Sequence, residues 1–102
     1  MPGVQREFTA EFTAELWRAA GDAAWVFARL PDDVSAEVRD LPRPPAGFGS
    51  VRVTVTLGGS RWSTSVFPEG SSAYVLPVRK AVRTAEGVDA GDVVRIGIET
   101  AG

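Results

Sequence analysis

Ten arginines and one lysine face thirteen acids in this 102-residue chain, and there is no histidine or cysteine. Chemistry that needs an imidazole or a thiolate is excluded. That removes cysteine nucleophiles, Ser-His triads, most zinc sites, haem ligation by His or Cys, and disulfides. A metal would have to be held by oxygen ligands alone. Two groups of residues remain that could recognise something. The first is Arg52 with Ser65, supported by Tyr74 and Lys80. An arginine holds a carboxylate or phosphate through two parallel N–H donors, and a hydroxyl beside it adds a third contact. The second is Arg79, Lys80 and Arg83, which one helical turn brings together as a phosphate-contacting face. No Gly-x-Ser-x-Gly, phosphate-binding glycine loop or paired metal-carboxylate motif occurs. No catalytic residue, metal site or cofactor is therefore expected.

Both groups need elements to position them. The clearest is a hairpin in which 50–57 and 60–67 flank Gly58-Gly59. Glycines at both turn positions allow the positive φ that tight hairpin turns require. Pairing Leu57 with Ser60 sets Val55 against Trp62, Val53 against Thr64 and Val51 against Val66 on one largely apolar face. The opposite face pairs Thr56 with Arg61, Thr54 with Ser63 and Arg52 with Ser65, and is wholly polar. A slip of one residue would scramble both faces. The polar face is either a solvated wall or a cradle for an anion.

The second group sits on a helix. Pro77 suits a first helical turn, and Val78, Ala81, Val82 and Ala85 form a core-facing stripe. Arg79, Lys80, Arg83 and Glu86 fall off that stripe. Gly87 fits the left-handed residue that ends a helix. Asp89-Ala90-Gly91-Asp92 reads as a turn, and 93–100 as a final strand with Val94, Ile96 and Ile98 inward.

Earlier in the chain, Phe12, Ala14 and Leu16 alternate with Thr13, Glu15 and Trp17, as in a strand. Gly21-Asp22 breaks that run. Residues 24–30 form a second strand, apolar on both faces and so expected to be buried on both sides. Trp25, Trp62 and Phe67 are expected in the core. Pro31-Asp32-Asp33 opens a short helix whose stripe is Val34, Val38 and Leu41, and Asp32 or Asp33 is positioned to cap it. That helix stops near Pro42, and 43–47 is a stiff connector. A short strand at 73–76 precedes Pro77. The expected fold is mainly β with two short helices (α+β): a small closed β-barrel of six or seven strands, mostly antiparallel. Residues 1–7 are a loose end, and 8–102 form one domain.

Several segments, taken in order, resemble the bacterial "domain of unknown function 1905" family. They are 12–17 (Phe12 to Trp17), 24–31 (with Trp25, Phe27 and Pro31), 48–55, 62–68 (with Trp62 and Pro68) and 74–87 (with Tyr74, Pro77, Lys80 and Gly87). The resemblance covers about 8–100 and implies a small closed β-barrel with accessory helices. It carries no activity and no catalytic residues. A local stretch, Leu76-Pro77 through Arg79-Lys80 and Gly87 to Val94, is similar to half of an AbrB-type swapped-hairpin regulator. Those regulators bind DNA as dimers. The many additional strands and the formal charge of −2 depart from that pattern.

No run of about 18 apolar residues occurs, so no membrane helix is expected. The N-terminus lacks the build of a signal peptide, which makes the cytoplasm the expected compartment. The expected partner is a small polar or anionic ligand, not nucleic acid, bound by a monomer or homodimer at Arg52, Ser65, Tyr74 and Lys80. The alternative is a nucleic-acid binder using Arg79, Lys80 and Arg83, or a protein-interaction module marked by an exposed apolar patch.

Overall fold

A computed structural model of the chain describes residues 8–20, 25–41 and 49–100. The loose end at 1–7, the break at Gly21-Asp22 and the connector at 43–47 lie outside these residues. Seven strands and two helices follow in the order β1 (Phe8–Glu15), β2 (Trp17–Arg18), β3 (Val26–Arg29), α1 (Asp32–Arg39), β4 (Val51–Leu57), β5 (Ser60–Glu69), β6 (Ala73–Pro77), α2 (Lys80–Glu86) and β7 (Val93–Thr100). All strand pairs are antiparallel, and the sheet order is β1-β7-β4-β5-β6-β3-β2.

The sheet curls into a half-barrel and does not close as expected. The outermost strands, β1 and β2, are consecutive in the chain and separated only by Leu16. Leu16 gives its main-chain groups to the Asp89–Asp92 turn. Its N–H donates to the Asp92 carbonyl at 2.9 Å, and its carbonyl accepts from the Gly91 N–H at 2.8 Å. The strand is interrupted there, and among the described residues no ladder joins the two ends of the sheet.

The β4–β5 hairpin has the expected register from Leu57↔Ser60 to Val51↔Val66. Only Gly58 of the turn takes positive φ, at 61°. A turn with left-handed geometry at its first central residue alone suits the twist of the two strands. The core is built from alternate residues: Val51, Val53, Val55 and Leu57 of β4, Val94, Ile96 and Ile98 of β7, and Val26, Ala28 and Leu30 around β3. α1 adds Val34 and Val38. Asp33 does not cap α1 from outside; its carboxylate accepts from the Val34 N–H at 2.8 Å, within the first turn. Buried Ser35 ties α1 to the sheet: its Oγ accepts from the Tyr74 N–H at 3.1 Å and donates to the Leu30 carbonyl at 3.3 Å.

Two expectations about burial fail. β3 is covered on one side only. Val26, Ala28 and Leu30 face inward, whereas Trp25 is 51% exposed and Phe67, on β5, is 41% exposed. Trp62 is half-buried. In α2, Ala81 and Ala85 are exposed, and the buried residues are Val82 and Arg83. The physical reason is the late start of the helix. Pro77 completes β6, Arg79 is extended at φ −68° and ψ 156°, and only seven helical residues follow. The inward face is therefore set by Val82 and not by the spacing from Val78.

Candidate functional site

The four residues expected to bind a ligand do not form one site. Arg52 and Ser65 are cross-strand partners on the outer face of the hairpin, where Arg52 is exposed. Tyr74 is in the core at 4% exposure. Lys80 opens α2 and is exposed. The basic face also comes apart. Arg79 and Lys80 face solvent, but Arg83 is 7% exposed and committed to structure. Its guanidinium donates to the Val78 carbonyl at 2.6 Å and meets the Asp89 carboxylate at 3.2 Å. A buried, paired arginine is not available to a phosphate. Arg18 reaches the same Asp89 oxygen at 3.0 Å. The Ala90 N–H, then Arg18 and Arg83, hold the Asp89 carboxyl below the usual carboxylate range, against the opposing effect of burial.

What Lys80 and Arg79 do share is a groove of about 500 Å³. It arises where β5 and β6 part. β5 pairs with β4 over Ser60–Val66, but with β6 only over Phe67–Glu69. Continuing that ladder would set Pro77 opposite Ser65, and proline has no N–H to donate. Trp62 and Thr64 line the groove from β5, Pro77 and Val78 from the end of β6, and Trp25 closes it from β3. Arg79 and Lys80 form its cationic rim.

Among the described residues, nothing neutralises the charge on that rim. Arg18, Arg29, Arg61, Arg83 and Arg95 each have a carboxylate partner. Arg79 and Lys80 have no side-chain ion pair or hydrogen bond among the described residues. An apolar groove of this size with a few polar groups at one end is the usual form of a small-molecule site.

The groove continues over the outer face of the sheet. A second hollow of about 450 Å³, lined by Ala19, Phe27 and Val75, shares Trp25, Phe67 and Pro77 with the first. Register places Trp17, Phe27 and Pro77 in one row across β2, β3 and β6. The Trp25 and Phe27 rings stack at 5.9 Å and 12°, and Trp17 lies 5.2 Å from Phe27 at 33°. The Arg29 guanidinium sits 5.5 Å from the Trp17 ring and is itself paired with Glu69. Trp25 and Phe67, expected in the core, lie at the surface instead. The available signal was alternation: once Val26, Ala28 and Leu30 face the core, Trp25 and Phe27 must face out.

The family model described as "Domain of unknown function (DUF1905)" matches residues 12–98, which spans every strand from Phe12 of β1 to Ile98 of β7. No curated protein matches the chain. The family match agrees with the ordered segments that carry the resemblance, and its description assigns no activity or site residue.

Proposed function

The chain belongs to the DUF1905 family, and from its geometry alone we propose that it is a binding module for a small anionic ligand held in the Trp25–Lys80 groove. One observation carries this reading. The Arg79 and Lys80 side chains, without an ion-pair or hydrogen-bond partner among the described residues, stand at the rim of a groove whose remaining lining is apolar but for Thr64. Apolar walls exclude water from the ligand's body, and charge attraction beside them is stronger than in bulk solvent. Lys80 contributes a mobile ammonium and Arg79 a planar fork that suits a carboxylate or phosphate. Arg52 and Ser65 do not line this groove and are not part of the proposed site.

Thermal unfolding against a panel of small carboxylates and phosphates tests the proposal. A ligand that binds only the folded state, at 100 times its dissociation constant, stabilises by about 2.7 kcal/mol. At least one member should raise the transition. Lys80→Ala should then weaken that ligand by about 1 kcal/mol, roughly fivefold, as expected for an accessible charge pair. Arg52→Ala should leave it unchanged. A panel without any stabilising member overturns the reading. So does a ligand that responds to Arg52→Ala and not to Lys80→Ala or Arg79→Ala, since that places the anion on the hairpin face.

A further inference from the structure

The anion accounts for one end of the groove only. The rest of the groove is aromatic, and its geometry carries information about the body of the ligand. Trp25, Phe27 and Trp17 form a continuous row of rings. The middle ring, Phe27, has a neighbour on each side. Trp25 is the terminal member: Phe27 covers one side of it at a near-parallel 12°, and half of its surface remains in solvent. Solvated indole at the end of a stack is the surface that another flat ring covers best, because offset stacking adds to plain area burial. Phe67, 41% exposed, and Pro77 border the same space. Arg79 and Lys80 line the same groove as Trp25, within reach of a substituent on such a ring.

We infer that the ligand is a planar aromatic or heteroaromatic ring bearing an anionic group, with the ring stacked on Trp25 and the anion at Arg79 and Lys80. This rests on the groove being the binding site and specifies what occupies it. Aryl carboxylates and nucleoside monophosphates share that chemistry. A flexible aliphatic acid has the charge of an aryl carboxylate and comparable apolar content but cannot extend the stack; a nucleoside monophosphate carries up to one charge more at neutral pH, so for it the loss of preference in Trp25→Leu is the deciding readout. Stacking beyond area burial corresponds to a preference of up to about tenfold for the ring.

Isothermal titration of the wild-type chain with 2-naphthoate, adenosine monophosphate and octanoate tests this. One of the two ring-bearing anions should bind about tenfold more tightly than octanoate, and which of them does so assigns the ring as an aryl group or a nucleobase. Trp25→Leu keeps an apolar side chain at an exposed position but removes the stack. It should abolish the preference by weakening the ring-bearing anion while changing octanoate less than about twofold. Trp25→Phe should retain most of the preference. Octanoate binding as tightly as both ring-bearing anions, or Trp25→Leu weakening all three equally, overturns the stacked ring and leaves the anion groove standing. If neither ring-bearing anion binds while another anion of the thermal-unfolding panel does, the stacked ring is overturned and the anion groove stands; if no panel member binds either, both fall.

Discussion

Glu86, at the end of α2, shows how a single carboxylate can set the position of the groove's rim. It accepts from the Gly59 N–H at 3.1 Å and from the Ser60 hydroxyl at 2.5 Å. Gly58 holds φ at 61°, which favours glycine, and a Cβ there would displace the same carboxylate from its place against the turn. The Ser60 hydroxyl, then the Gly59 N–H, holds the Glu86 carboxyl below its ordinary value of 4.5. A carboxylate with a lowered folded-state pKa contributes stability that is complete above its unfolded value and disappears as pH falls through the folded one. Glu86→Gln should therefore lower the melting temperature by a constant amount above pH 4.5, and the difference should shrink at lower pH. Melts of both proteins between about pH 3 and 7 measure this. A difference that stays constant through the acid range would show that the contact does not depend on charge.

At the scale of elements, legibility depended on whether one pattern had one solution. The β4–β5 hairpin was readable because Gly58-Gly59 fixed the turn and the alternation of Val51, Val53 and Val55 fixed the face. α2 was not. Val78, Ala81, Val82 and Ala85 match a helical stripe, but the helix starts at Lys80 and turns Val82 and Arg83 inward. Small alanines are tolerated on either face, so they do not report which side is buried. Arg83 gave no sign of its burial, since its partners are the Val78 carbonyl and Asp89. α1 had a readable stripe in Val34 and Val38, but the role of Ser35 was invisible. Its fully buried hydroxyl bridges the Leu30 carbonyl and the Tyr74 N–H, beside the direct bond from the Leu30 N–H to the Tyr74 carbonyl. Ser35→Ala leaves a buried N–H and a buried carbonyl without that partner and should cost about 2 kcal/mol in urea unfolding. Ser63→Ala on the exposed hairpin face should stay within about 0.5 kcal/mol. Equal effects would mean that α1 is held by Val34 and Val38 alone.

Across the whole molecule, the composition and the spacing of strands led to the correct class, mainly β with two helices, but not to the open half-barrel. Closure was expected because it removes free strand edges. Instead Leu16 diverts its main chain to the Asp89–Asp92 turn, and Pro77 stands where the ladder between β5 and β6 stops. Both are pairing choices made between residues far apart in sequence. The second creates the groove, which is why the candidate site was only partly legible: Lys80 and Arg79 were readable as cations, while Trp25 and Phe67 were assigned to the core. No helix among the described residues is long and apolar enough to cross a membrane. The most direct measurement is amide chemical-shift mapping of the labelled chain during titration with whichever of 2-naphthoate and adenosine monophosphate binds more tightly. Saturable shifts should concentrate at Trp25, Trp62, Thr64 and the Val78–Lys80 segment, leaving Arg52 and Ser65 unmoved. Saturable shifts centred on Arg52 and Ser65, or none at any residue, would contradict the assignment of the groove as the binding site.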